Sequence, residues 1–148
     1  APISTCMATT IQAIRDDFEF LDEWEDRYRY VIELGEALPA FPDADRTPAN
    51  KVPGCVSQVW LTTETGSGAD PVMIFHGDSD AHIVRGLVAI MLALFSGQAA
   101  STIVKTDAEA TLKTLGLDEH LSTQRANGLR SMVKRIKRDA EASLKQTA

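Results

Sequence analysis

The sequence predicts an α+β fold in which a small antiparallel β-sheet packs against helices. Apolar residues recur at helical spacing near both ends of the chain, and two β-rich segments joined by a glycine-containing turn lie between them. The chain has 148 residues, of which 44% are hydrophobic and 24% charged, as is ordinary for one globular domain. We expect a flexible tail over residues 1–8 and a single domain over residues 9–148.

The first part of the chain is predicted to be helical. Apolar residues at helical spacing from Ile11 onward predict a first helix over residues 10–20. Asp22 and Glu25 form a capping-box pattern, which predicts the start of a second helix. Residues 38–54 are rich in Pro, Asp and Asn without any periodicity, so we expect a long loop, the kind of segment that often carries function.

The sheet and the remaining helices follow this loop. Residues 56–63 are rich in β-branched and aromatic side chains and predict a strand, and residues 71–77 predict its antiparallel partner in a hairpin. A strongly apolar helix is predicted over residues 80–96, with Asp78 and the two residues after it as N-terminal caps. Ser122 is the predicted cap of the last helix.

Composition excludes several classes of function. The formal net charge of -6 disfavours nonspecific binding to nucleic acid or to anionic membranes, and the longest apolar run is too short to span a bilayer. Two cysteines are too few for a disulfide framework, and no secretory signal pattern is visible, so we expect a cytoplasmic protein. The basic cluster over residues 134–138 is interpreted as a solvated helix face.

Cys55 is the residue whose placement asks for an explanation. Pro53 and Gly54 suit the second and third positions of a type II turn, the third of which needs a positive φ. The turn would present Cys55 on a stiff mount at the start of a strand, although a free cysteine can also be a small packed hydrophobe. No histidine is spaced diagnostically from it and no C-x-x-C motif is present, while Cys6 lies in the predicted tail.

A metal site is the competing interpretation of one acidic segment. His76, Asp78, Asp80 and His82 alternate, and on one continuous strand they would share a face. We expect the strand to end at Gly77 and the aspartates to cap the following helix instead. The prediction is therefore that the chain binds no metal and no other cofactor.

Four segments together resemble the SufE family of sulfur-acceptor proteins, which includes the CsdE branch. The resemblance covers about residues 11–136, and its most specific part is G-C-x-S-Q-V-W over residues 54–60, followed by G-D-S-D-A. The four segments are YVIELGEALP, DRTPANKVPGCVSQVWL, GDSDAHIVRGLVAIMLALFSG and LSTQRANGLRSMVKRI.

The resemblance implies an α+β fold similar to IscU-type scaffolds and a role in sulfur transfer. A PLP-dependent cysteine desulfurase of the SufS/CsdA type would pass persulfide sulfur to Cys55, be stimulated by this chain, and leave the sulfur for iron–sulfur cluster assembly. PLP would belong to the partner, and the chain would be a carrier and activator rather than an independent enzyme. The family motif also implies loop-support or partner-binding roles for Arg46, Gly54, Gln58, Gly77, Asp78, Asp80 and Arg125.

Two alternatives remain open at this point. An IscU-like metal or iron–sulfur scaffold would need several cysteines in the region where this chain has only Cys55. A noncatalytic interaction module would use Cys55 only for packing.

Overall fold

The computed structural model describes residues 10–54 and 57–146, and it confirms the predicted α+β architecture. In chain order the elements are α1 (Ile11–Phe20), α2 (Trp24–Glu36), a 3-10 turn (Asp43–Asp45), β1 (Val59–Thr65), β2 (Val72–Ser79), α3 (His82–Phe95), β3 (Gln98–Ala99), α4 (Ala100–Lys105), α5 (Ala108–Leu115), α6 (Leu117–His120) and α7 (Thr123–Gln146).

The three strands form an antiparallel sheet in the order β1-β2-β3. The register pairs Val59 with Ser79 at one end and Thr65 with Met73 at the other. The strand boundaries differ from those predicted, since β1 begins at Val59 and β2 continues through Gly77 to Ser79. The predicted end of the returning strand at Gly77 is therefore wrong, because pairing with β1 carries the strand two residues further.

The core lies between the inner face of the sheet and α3. The alternating residues Val59 and Leu61 are buried, as the period-two pattern predicted. α3 is buried along most of its length and packs against α2, β2 and α7. α7 contributes the predicted apolar stripe, whose fully buried members are Leu129, Met132, Ile136 and Ala140.

The predicted capping of α3 is wrong. Its N-cap residue is Ala81, which makes no side-chain capping hydrogen bond. Asp78 lies within β2, and both Asp78 and Asp80 bond to other parts of the chain. The Asp-Ser-Asp segment at the end of β2 has the same local composition as a helix cap, but pairing with β1 keeps its first two residues in the strand.

Of two other predicted helix caps, one is confirmed and one is wrong. Ser122 caps α7 as predicted, because its Oγ accepts from the Arg125 backbone N–H at 3.2 Å. Asp22 does not cap α2, whose N-cap is Glu23. The short elements β3, α4 and α6 have two to six residues, too few for a periodic pattern to predict. Over residues 10–54 and 57–146, no helix has the length and apolarity that a bilayer crossing requires.

Candidate functional site

Residues 53–58, which we call the thiol loop, are closed at the base by strand-like hydrogen bonds. The Val52 N–H donates to the Val59 carbonyl at 2.8 Å, and the Leu61 N–H donates to the Asn50 carbonyl at 2.9 Å. Val52 and Val59 are both almost fully buried, so this base is part of the core. Cys55 and Val56 lie outside the described residues, and the structure places the residues on either side of them.

Gly54 holds the beginning of the loop close to α7. Its φ of 85° is the positive value that the type II turn predicted. A Cβ atom at this position would lie 2.7 Å from the Ser131 Oγ atom. Both the backbone conformation and the close approach therefore favour glycine here.

A buried carboxylate, that of Asp78, connects the long loop of residues 38–54 to the sheet and to α3. The Asp78 side chain is only 6% exposed, and its two oxygens face different arginines. The Arg46 Nη2 donates to one oxygen at 2.5 Å, and the Arg85 Nε lies 3.1 Å from the other. The cluster thus ties the long loop before residue 54 to the end of β2 and the first turns of α3.

Arg46 is held by further contacts on its other sides. It donates a second hydrogen bond to Asp43, and its guanidinium lies 5.6 Å from the Phe41 ring centroid and 5.8 Å from that of Trp60. The hydrogen bond to Asp78 is the largest cause of a raised pKa of Arg46, against an opposing effect of desolvation. Arg46 is therefore a fixed cation whose charge is already balanced by two carboxylates.

A second tether fixes the other end of the loop. The Gln58 backbone N–H donates to the Asp80 Oδ1 at 3.0 Å, and the Gln58 side-chain amide donates to Oδ2 at 3.3 Å. The Asp80 backbone N–H donates back to the Gln58 carbonyl at 3.3 Å. The sequence-predicted residues Gln58 and Asp80 are thus direct partners.

Arg125, at the beginning of α7, lines the same cavity as Ser57 of the thiol loop. It is exposed and donates to the Tyr28 hydroxyl at 3.2 Å, while no carboxylate among the described residues pairs with it. It lines an open cavity of about 340 Å³ that is formed by parts of the loop, α3 and α7. The other lining residues are Ser57, Val84, Leu87, Ser122, Gln124, Gly128 and Met132.

Gly77 is a sequence-predicted residue that lies in the core. It pairs with Leu61 across the β1–β2 ladder. A Cβ atom at Gly77 would lie 2.7 Å from both the Leu61 Cδ2 and the Val88 Cγ1 atoms. Its contribution is to let β2 approach α3 closely next to Asp78.

The alternating segment does not converge on a metal within the described parts of the chain. His76 contacts Glu64 at 2.7 Å, Asp78 faces arginines and Asp80 bonds Gln58. No group of three or more potential metal-ligating side chains occurs among the residues that the structure describes. The absence of a bound metal stays a prediction.

Three supporting residues escaped the sequence-based reasoning. Arg85 is the one arginine in a strongly apolar helix, which is the signal that could have marked it. Ser131 carries no such signal, since its contact with Gly54 depends on tertiary packing. Arg135 was placed on a solvated face, yet its side chain is only 12% exposed, pairs with Asp139 and donates to the Ala49 carbonyl at 3.4 Å.

The comparisons with known proteins agree on the family. Residues 12–140 match the family model SufE, described as an Fe-S metabolism associated domain. An uncharacterised SufE-like protein of Rhizobium meliloti is 63% identical over 137 residues, covering 92% of this chain and 98% of the relative. A SufE-like protein of Rhizobium etli, also uncharacterised, is 62% identical over 133 residues, covering 89% and 90%.

A solved structure shares the fold. The solution structure of a hypothetical protein from Thermus thermophilus superimposes with a TM-score of 0.70 at 14% identity, over 91% of this chain and 96% of that one. At this identity the similarity concerns the fold, whereas the family rests on the match over residues 12–140 and on the two relatives. The chain belongs to the SufE family, and its domain is of the kind associated with iron–sulfur metabolism.

Proposed function

We propose that this chain accepts sulfur on Cys55 from a cysteine desulfurase of the SufS/CsdA type, stimulates that desulfurase, and passes the sulfur to iron–sulfur cluster assembly. The observation that carries the proposal is the mounting of the loop that contains Cys55. Its base is closed by the Val52–Val59 hydrogen bond, and its far end is tethered by Gln58 to Asp80. Such a frame suits one thiol that must enter another protein's site.

The proposed transfer is a thiolate exchange. The Cys55 thiolate attacks the outer sulfur of the partner's cysteine persulfide. A bond forms between the Cys55 Sγ and that outer sulfur, and the S–S bond of the partner's persulfide breaks. The partner's cysteine leaves as a thiolate, and Cys55 becomes the persulfide. Electrons balance without an external oxidant or reductant, so the acceptor needs no metal, no cofactor and no second cysteine.

Arg125 is the residue we assign to favouring the thiolate. A nearby cation lowers the pKa of a cysteine thiol, provided that a carboxylate does not already neutralise the cation. Arg46 is balanced by Asp78 and Asp43, whereas Arg125 has no carboxylate partner among the described residues and lines the cavity that Ser57 borders. We therefore assign Arg46 to holding the loop and Arg125 to the chemistry.

The test compares the two cysteines. We expect Cys55→Ser to keep the fold but to lose sulfur acceptance and desulfurase stimulation, while Cys6→Ser keeps both. The measurement is mass spectrometry of the protein after incubation with a cysteine desulfurase, PLP and cysteine, together with the rate of the desulfurase. If Cys55→Ser still stimulates the desulfurase as wild type does, the proposed role of Cys55 is wrong.

A metal assay separates this proposal from an iron–sulfur scaffold. We expect no stoichiometric zinc or iron in protein prepared without oxygen. A metal content of about one per chain that is lost on replacing Cys55 would instead favour the scaffold.

A further inference from the structure

Charge is distributed unevenly along this chain. Residues 10–45 contain eleven acidic and three basic side chains, whereas α7 contains seven basic and two acidic ones. The basic side chains of α7 are therefore concentrated in a protein whose net charge is -6. A local cationic surface on an acidic protein suits the recognition of a specific anionic partner.

Three of these cations form what we call the basic ridge: Lys134, Arg138 and Lys145. They follow Ser131 by three, seven and fourteen residues, which places all of them on one face of the helix. Lys134 and Lys145 are exposed, and the Arg138 side chain is 68% exposed. The three side chains thus project into solvent from one face of α7.

The ridge is only partly neutralised within the described chain. No carboxylate of the described residues lies within ion-pair distance of Lys134 or Lys145. Arg138 lies 3.5 Å from the Asp139 Oδ1, while the other oxygen of Asp139 faces Arg135 at the same distance. Glu141 borders the face, so the ridge keeps a net positive charge.

The ridge begins where the thiol loop touches α7. Gly54 approaches the Ser131 side chain, and the Ala49 carbonyl accepts from Arg135. With a rise of about 1.5 Å per residue, Lys134 and Arg138 lie roughly 5 Å and 10 Å along the helix from Ser131. The first part of the ridge therefore lies next to the described residues of the loop, where a protein that binds the loop would also meet it.

We infer that the basic ridge is a docking surface for an acidic patch on the cysteine desulfurase, next to the opening through which the Cys55 loop enters. This inference rests on the proposed function, since it names the surface by which the same partner is recognised. Charges within about 8–10 Å of an interface act on the partner with little screening, while the acidic side chains elsewhere are attenuated by salt. Nucleic acid is the less suitable occupant, because the ridge has no aromatic side chain on which bases could stack.

The test is a double charge reversal, Lys134→Glu with Arg138→Glu. Both side chains are exposed and away from the buried stripe of α7, so the fold is retained. The matched control is Lys105→Glu with Lys113→Glu, which changes the net charge equally at exposed positions of α4 and α5. Desulfurase rate is measured against the concentration of each variant at low and at high salt, with persulfide on Cys55 followed by mass spectrometry.

We expect the ridge variant to need about tenfold more protein for half-maximal stimulation at low salt, with an unchanged plateau and normal persulfide formation at saturation. The difference from wild type should shrink at high salt, and the control should follow wild type. An unchanged half-saturation concentration, or an equal shift in the control, overturns the ridge while leaving sulfur acceptance intact.

Two other outcomes also contradict the inference. If wild-type protein receives no sulfur on Cys55 at any concentration, the proposed function is refuted, and with it the assignment of the basic ridge to a cysteine desulfurase. Binding of a fluorescent single-stranded RNA by wild type, lost in the ridge variant while desulfurase stimulation is unchanged, would assign the ridge to nucleic acid instead.

Discussion

Replacing Asp78 by asparagine should destabilise the whole domain, because this carboxylate neutralises two arginines at the centre of the site. Its side chain is 6% exposed, and it faces Arg46 at 2.5 Å and Arg85 at 3.1 Å. Asparagine has nearly the same shape, so the change removes the charge while leaving the packing. The two guanidiniums would then face each other across a neutral amide.

The magnitude follows from the burial of Asp78. Removing one partner of a buried ion pair costs about 3–5 kcal/mol, mostly because the remaining charge is left unpaired. Both arginine side chains are 31% exposed and recover some hydration in the variant, so we take the lower end. A loss of about 3 kcal/mol lowers the Tm of a domain of this size by about 6–12 °C.

The assay is urea unfolding followed by circular dichroism, with Asp43→Asn as the control. Asp43 bonds the same arginine, but its side chain is 98% exposed, so its replacement should change stability little. If the two variants lose the same free energy of unfolding, the burial of Asp78 is not what makes the cluster stabilising, and the reasoning fails.

Two further predictions concern the loop and the alkaline limit of stability. Gly54→Ala should lose more free energy of unfolding than Gly68→Ala, because both glycines have a positive φ but only Gly54 would place its Cβ against Ser131. Denaturant titration measures the two losses, and adding Ser131→Ala to the Gly54→Ala variant should recover the difference between them. Equal losses in the two glycine variants would contradict the contact. Burial, followed by the hydrogen bond to Asp17, raises the pKa of Tyr30, so its contribution to stability is complete below about pH 10 and is lost as the pH rises toward the folded-state value. Tyr30→Phe should reduce the fall in stability above that pH in unfolding curves, and an unchanged profile would show that Tyr30 is not responsible.

The sequence predicted those elements whose pattern is long enough to be periodic. α1, α3 and α7 each repeat their apolar positions over at least ten residues, and the alternation of Val59 and Leu61 identified the inner face of β1. The Ser122 cap was also predictable, because a cap acts within one turn. Local sequence patterns such as these predict the structure correctly when no residue distant in sequence binds the same groups.

The partners of Asp78 were not predictable in this way. Arg46 lies 32 residues away from Asp78 in sequence, and nothing local states that the two meet. The Asp-Ser-Asp segment satisfies the rules for a helix cap, but pairing with β1 places Asp78 in a strand and directs its carboxylate to Arg46 and Arg85. Tertiary contacts therefore overrode a sound local interpretation.

The structure explains physically why the two most specific motifs of this chain belong together. The first motif, residues 54–60, supplies most of the thiol loop and the beginning of β1, and the second motif supplies the carboxylates Asp78 and Asp80. Asp80 accepts a hydrogen bond from Gln58 at the C-terminal end of the thiol loop. Asp78 accepts one from Arg46, in the long loop that leads to the N-terminal end of the thiol loop. The thiol loop is thus framed by groups that are already paired with one another.

This pairing separates the side chains that hold the loop from the side chain assigned to the proposed sulfur chemistry. A carboxylate close to a thiolate would raise the thiol pKa and oppose attack, whereas the charge of a carboxylate that is paired with arginines, as in Asp78, is largely compensated. Asp78 can therefore support the long loop without opposing the reactivity proposed for Cys55, while Arg125 lines the cavity beside Ser57 and pairs with no carboxylate among the described residues. Support of the loop and the cation near Ser57 are compatible here because they come from different side chains, Arg46 and Arg125.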